Sequence, residues 1–155
     1  MEKELRELID KGYKPKKILS VIINERKIRD NRLREHPLPD YAVPSTAVSE
    51  SNANNLTKAI CNFINAMGGH ANRINTVGIY DAKRKAYRKG TTIKGTSDII
   101  ALYKGKSLHI EVKYGNDRLI KEQIAYLDLI NSCGGYTHVA RNIDSFFEWF
   151  VKEVL

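Results

Sequence analysis

Gly95-Thr96-Ser97-Asp98-Ile99-Ile100-Ala101-Leu102-Tyr103-Lys104-Gly105-Lys106-Ser107-Leu108-His109-Ile110-Glu111-Val112-Lys113 decides the fold of this 155-residue chain. Residues 99–103 and 108–112 have strand length and strand composition, and Lys104-Gly105 between them is a two-residue turn, so the stretch reads as one β-hairpin. With that turn Tyr103 sits opposite Lys106, and counting back places Asp98 directly across from Glu111. Opposed residues share a face with Cβ atoms about 4.5–5.5 Å apart. Lys113, two residues beyond Glu111, joins the same face. A turn at Gly105-Lys106 instead puts Asp98 opposite Lys113, and the three groups still converge.

Two carboxylates that close repel unless a cation lies between them. Hard oxygen ligands with open positions suit Mg²⁺, with Mn²⁺ as a substitute. A lysine beside that cation can orient or deprotonate a water, or neutralise charge building on a phosphate. A cross-strand charge pair on a solvated hairpin accounts for the same three residues equally well on spacing alone. Ile99, Ile100, Ala101 and Leu102 are apolar without alternation, which predicts a strand covered on both faces, and charges at the ends of buried strands need a reason.

The run Gly95-Thr96-Ser97-Asp98, the hairpin, Glu111-Val112-Lys113 and a following helix with Gln123 resemble the PD-(D/E)xK nuclease superfamily, and within it the virus-type replication-repair nuclease (VRR-NUC) group. The likeness spans about residues 49–150. It implies an α/β, restriction-endonuclease-like αβββαβ core, a mixed sheet flanked by helices. It makes Asp98 and Glu111 the metal-binding carboxylates, with the Val112 carbonyl as a further ligand. Lys113 acts on the attacking water, Gln123 reaches in from its helix, and Glu50 is the acid that many members carry on the first core helix. Ser97 stands where a proline usually precedes the aspartate, and Leu119-Ile120-Lys121-Glu122 replaces a segment with an expected serine. Neither departure removes a ligand.

The resemblance implies a Mg²⁺-dependent DNA endonuclease that hydrolyses phosphodiester bonds, of the kind used in phage and DNA-repair contexts. Structure-selective cutting of branched or junction DNA and a homodimer follow from it as expectations. The alternative is a non-catalytic nucleic-acid-binding module of a phage replication or packaging assembly. A third class is an interaction protein whose basic charge serves an acidic partner.

Charge favours a polyanionic partner: 26 Lys and Arg stand against 18 Asp and Glu, for a formal +8. The excess is local. Arg73, Lys83, Arg84, Lys85, Arg88, Lys89 and Lys94 face a single acid, Asp81, with Tyr80 and Tyr87 interleaved, and the run leads straight into the Asp98 strand. These seven are the candidate nucleic-acid-binding residues. A solvated loop of ordinary surface cations is the plainer account. Cys61 and Cys133 fall in apolar helical contexts and read as buried, reduced thiols. His36, His70, His109 and His138 have no ligand spacing, and His109 reads as a partly buried strand histidine outside the catalytic set.

No stretch approaches the roughly 20 apolar residues of a membrane span, and Met1-Glu2-Lys3-Glu4 lacks a signal peptide's apolar core. The expected location is a reducing cytoplasm, the host's if the chain is phage-encoded.

Residues 1–36 read as an N-terminal helical hairpin broken at Gly12-Tyr13-Lys14-Pro15, residues 37–45 as a proline-rich connector, and 46–155 as the nuclease domain. The helical appendage packs on the core, dimerises, or clamps DNA through Arg26, Lys27, Arg29, Arg32 and Arg34. From about Thr46 to Met67, Leu56, Ile60, Phe63, Ile64 and Met67 recur at helical spacing, and Gly68-Gly69 stops the helix. A strand over 71–79 then leads into the basic loop. Asn116-Asp117 is read as the cap of a helix burying Ile120, Ile124, Leu127 and Ile130, with Gln123 at the stripe's edge. Tyr136 to Ala140 forms a last strand, and Asn142 or Asp144 opens a final helix rich in aromatic residues.

Overall fold

Pro15, in the first turn of its helix, and Gly12, at φ +70°, split the N-terminal segment into α1 (Glu2–Asp10) and α2 (Pro15–Arg32). The computed structural model describes residues 1–74, 79–83, 85–88 and 93–155, with the backbone alone at 79–81 and 86–88. After a single 3₁₀ turn at Asp40–Ala42 come α3 (Ala53–Ala66) and β1 (His70–Arg73). A two-stranded ribbon follows, β2 (Ile79–Asp81) and β3 (Ala86–Arg88), then β4 (Ile99–Tyr103) and β5 (Lys106–Val112). The chain closes with α4 (Lys121–Ser132), β6 (Tyr136–Ala140) and α5 (Ile143–Trp149), which runs into a π-helical turn at Phe150–Val154.

The described part is thus mixed α/β, with five helices and a four-stranded mixed sheet in the order β1-β4-β5-β6. β1 pairs antiparallel with β4, β4 antiparallel with β5, and β5 parallel with β6. The expected hairpin register is present: Tyr103 faces Lys106 and Ile99 faces Ile110. Lys104 and Gly105, at φ +47° and +77°, form the two-residue turn, both left-handed as a tight right-twisted hairpin demands.

Ile99, Ala101 and Tyr103 of β4 and Leu108, Ile110 and Val112 of β5 all point to one face and are buried there. Against that face lie Leu56, Ile60, Phe63 and Ile64 of α3, Phe146 of α5 and Phe150 just beyond it. Leu5, Ile18, Leu19, Ile22 and Ile23 of the two N-terminal helices belong to the same apolar cluster. The Phe63 ring meets the edges of Phe146 at 6.0 Å and Phe150 at 5.3 Å. Each such buried side chain stabilises the fold by about 1.5–3 kcal/mol. A polar latch adds to the packing: the buried Tyr103 hydroxyl donates to Glu2 Oε1 at 2.5 Å, and Lys104 pairs with the same carboxylate.

Six expectations need correction. β4 is covered on one face only: its burial alternates, and Leu102 is 55% exposed. The apolar run misled because Ile100 and Leu102 open onto the face that carries the charged residues. α3 begins at Ala53 rather than near Thr46, because Asn52 takes an extended backbone and its side chain accepts from Asn55 N–H at 2.9 Å.

α4 begins at Lys121, not after Asn116-Asp117. Gly115, at φ +59°, and the Asp117 N–H to Tyr114 carbonyl bond make that segment a turn instead. Of the four stripe residues only Leu127 is buried, while Ile120 and Ile124 are nearly half exposed. Helical spacing identifies residues that share a face, but not whether anything lies against it. The expected strand over 71–79 is β1 at its start and lies outside the described residues at 75–78.

The cysteines are free thiols, as expected, but Cys61 is only partly buried and Cys133, at the C-terminal cap of α4, is exposed. No helix among the described residues is long and apolar enough to cross a membrane.

Candidate functional site at the open end of the hairpin

Just beyond the last ladder pair, Ile99 opposite Ile110, Asp98 turns its carboxylate towards the neighbouring strand. Asp98 Oδ2 accepts the Val112 backbone N–H at 2.9 Å. A strand residue directs its N–H and C=O to the same neighbour, so the Val112 carbonyl faces the Asp98 side. Parallel pairing with β6 secures the other edge: Val112 pairs with Ala140, and Lys113 N–H donates to the Ala140 carbonyl at 2.9 Å.

Glu111 is the centre of the arrangement. It is only 2% exposed, and Lys113 Nζ lies 3.1 Å from its Oε1. Gln123 Nε2 donates to the same oxygen, while its Oε1 accepts the Ile120 N–H at 3.1 Å at the start of α4. That second bond settles the orientation of the amide, since its oxygen faces an N–H and its nitrogen faces a carboxylate. Glu111 Oε2, by contrast, is buried and no side chain satisfies it. Burial, and next the charge of Asp98, push the Glu111 carboxyl above its ordinary value against the pull of Lys113 and of the Asp98 backbone N–H.

Gly95 explains how Gln123 gets there. At φ +92° it packs so tightly on α4 that a Cβ would stand 2.3 Å from the Glu122 carbonyl oxygen. Lys94, beside it, pairs with Glu122. The loop leading into Asp98 and the helix start carrying Gln123 are therefore held together.

Glu50 is not on the first core helix. It precedes α3 by three residues, and its Oε2 accepts the Ile143 N–H of α5 at 2.7 Å. α5 starts just after β6, whose Ala140 lies beside Val112, so Glu50 stands at the same sheet edge but binds backbone. Among the described residues no group of three or more His, Cys, Asp or Glu side chains gathers at metal-holding spacing. The donors that fit a hard cation are the buried Glu111 Oε2 and the Asp98 carboxylate, with the Val112 carbonyl facing the Asp98 side.

The basic run is less uniform than its sequence. Lys94 is ion-paired, and Arg73 donates to Asn54 Oδ1 at 2.8 Å. Lys83 and Lys85 lie exposed in the turn of the β2–β3 ribbon, where a plain loop was expected. Arg88 is in β3, known by its backbone alone, and Arg84 and Lys89 lie outside the described residues.

Sequence reasoning set His109 outside the catalytic set and missed the chain it forms on the Glu111 face. His109, two residues earlier and 8% exposed, has one ring nitrogen 3.1 Å from Ser107 Oγ and the other 2.9 Å from the Tyr126 hydroxyl. Burial lowers its pKa. The signal was present in two periods at once, His109 at strand spacing from Glu111 and Tyr126 three residues after Gln123 on the helix. It also missed Lys58, an exposed α3 cation near Arg73.

No protein-family model matches the chain, and no curated protein matches it significantly.

Proposed function

We propose that the chain is a Mg²⁺-dependent DNA endonuclease of the PD-(D/E)xK class, closest in its motifs to the VRR-NUC group, hydrolysing phosphodiester bonds with a preference for branched or junction DNA. The observation that carries this reading is the buried Glu111 Oε2 beside Asp98, which no side chain satisfies, with Lys113 and Gln123 committed to the other oxygen. A buried ionised carboxylate with an oxygen that no side chain meets is costly unless a cation completes it. The helix, strands, helix, strand, helix order from α3 onward supports a restriction-endonuclease-like core.

Asp98 and Glu111 would hold the cation, with the Val112 carbonyl as a third oxygen. Bound there, Mg²⁺ supplies Lewis acidity to the scissile phosphate and a lowered pKa to a coordinated water. Lys113, only 11% exposed and held against Glu111, orients the attacking water and offsets the charge that builds on the phosphate. Gln123 keeps the Glu111 carboxylate in one orientation, the service that partners behind metal ligands commonly perform. The basic segment before Asp98 and the net charge of +8 favour a polyanionic substrate.

A non-catalytic nucleic-acid-binding module is favoured by one observation: the described residues gather no third acidic ligand, Glu50 being bound to the α5 backbone. Labelled linear, flapped, four-way and single-stranded DNA, incubated with Mg²⁺, Mn²⁺ or EDTA, separates the two. The nuclease reading requires metal-dependent cutting that Asp98→Ala and Lys113→Ala both lose while DNA binding persists. Intact DNA under every condition, despite tight binding, sinks it in favour of the binding module.

A further inference from the structure

A groove of about 440 Å³ runs between α3 and β1, lined at one end by Arg73 and otherwise by residues the nuclease reading does not use. Its charged lining residues are Lys58 and Arg73, both cations, and its other polar lining includes Asn54, Asn62 and Asn72. Neither α3 nor β1 contains a single Asp or Glu. Asn55, Lys58, Asn62 and Asn65 recur along one side of the helix at spacings of three and four, so cations and amides form a stripe rather than a scatter. Lys58 and Asn62 have no hydrogen-bond or ion-pair partner among the described residues.

The groove has a direction. Its Arg73 end is paired with Ile99, and the next residue, Ile74, donates its N–H to the Asp98 carbonyl at 2.7 Å. The groove therefore starts at the end of the sheet where Asp98 stands, on the face opposite the Glu111 side chain, and leads away along α3. Cys61 in its wall has its thiol pushed up to about 11 by burial, so the wall offers no nucleophile at neutral pH. It is a surface for holding.

We propose that this groove is the track for the phosphodiester backbone of the nucleic-acid strand leading away from the Asp98–Glu111 site, with Lys58 and Arg73 facing phosphates and Asn62 donating to phosphate or sugar oxygens. The proposal rests on the nuclease reading for what lies at its end. Cations plus amide donors without an opposing carboxylate are the usual backbone-contacting set, and they carry no base specificity. The strand is thereby held in register without sequence selection, as a structure-selective enzyme requires.

The test is anisotropy of fluorescein-labelled single-stranded and duplex DNA in EDTA, so that binding is read without cleavage. Lys58→Glu is compared with Lys152→Glu, which makes the same charge change at an exposed residue. Lys58→Glu is expected to weaken binding about tenfold and to flatten the salt dependence by about one phosphate contact, roughly 0.9 in the log–log slope for duplex. Lys152→Glu is expected to change affinity less than twofold. Lys58→Gln, with the milder charge change, should fall between wild type and Lys58→Glu at an unchanged melting temperature. Equal weakening by Lys58→Glu and Lys152→Glu overturns the groove, since only net charge then matters. Cleavage is scored separately: a selective Lys58→Glu defect in a protein that cuts nothing keeps the groove and removes the nuclease. Normal binding and cutting by Lys58→Glu removes the groove and keeps the nuclease.

Discussion

At the residue scale the site is organised around one buried carboxylate. The folded structure holds Glu111 above its ordinary pKa through burial and the neighbouring Asp98. An acid raised in this way favours folding while protonated, and that contribution is lost as pH rises through its folded value. Glu111→Gln removes the burden. In EDTA the variant is expected to melt a few degrees above wild type at pH 8, each kcal/mol moving a chain of this size about 2–4 °C, with the two curves converging below pH 4.5. A wild-type protein that melts higher at pH 8 would contradict the buried-charge account. Gln123 is the second residue on which the site turns. On the nuclease reading, Gln123→Ala should cost about 10–100-fold in metal affinity or activity, read by Mg²⁺ titration of the cleavage rate, with little change in DNA affinity in EDTA. Asp98, Glu111 and Lys113 were legible in the chain because strand period and turn length alone set which residues oppose each other. The role of Glu50 was not, because a loop residue's partner, here the Ile143 N–H, comes from a segment distant in sequence.

At the scale of elements, two attachments position the hairpin. The Tyr103 hydroxyl ties β4 to α1 through Glu2, so Tyr103→Phe should destabilise the fold by about 1 kcal/mol, a fall of about 2–4 °C in Tm, checked by thermal melting. Gly95 ties the loop before Asp98 to the start of α4, and any side chain there meets backbone. β6 and α5 carry a separate device. His138 stacks on Trp149, the only tryptophan, with ring centroids 4.8 Å apart and planes 12° from parallel, and burial lowers its pKa to about 4. A histidine with a depressed folded pKa contributes stability above its unfolded value of about 6.5, and that contribution is lost as pH falls through the folded one. Trp149 emission should stay constant from pH 8 to about 5 and change near pH 4. A transition near 6.5 in the folded protein would show the ring to be solvated. These attachments were invisible to periodicity, which marks the faces of α4 and β4 but not their coverage. Ile120, Ile124 and Leu102 accordingly stand exposed where burial was expected.

At the scale of the whole molecule, a bound metal and the fold would be coupled by mass action. If Asp98 and Glu111 hold a divalent cation, Mg²⁺ at about 100 times its dissociation constant adds about 2.7 kcal/mol of stability. Wild type should therefore melt several degrees higher with Mg²⁺ than with EDTA, and Asp98→Ala should not respond. A wild-type Tm indifferent to both Mg²⁺ and Mn²⁺ would argue against a metal centre and towards the binding-module reading. The N-terminal helices share the apolar cluster of the sheet through Leu5, Ile18, Leu19, Ile22 and Ile23. Their packing thus belongs to the core of the sheet, while Arg29 and Arg32 are engaged with Glu4 and Asp40.

Local chemistry along the chain was enough to set the hairpin register, the breaks at Gly12 and Gly68 and the alternation of helices and strands. Each depends on neighbours within a few residues, where backbone sterics and side-chain period dominate. Three-dimensional packing alone decided that Glu111 would be sealed with one oxygen that no side chain meets, that Lys94 would be spent on Glu122, and that Lys58 and Arg73 would line one groove. Those outcomes depend on which distant surfaces meet, and burial and charge pairing are properties of that meeting rather than of any one segment.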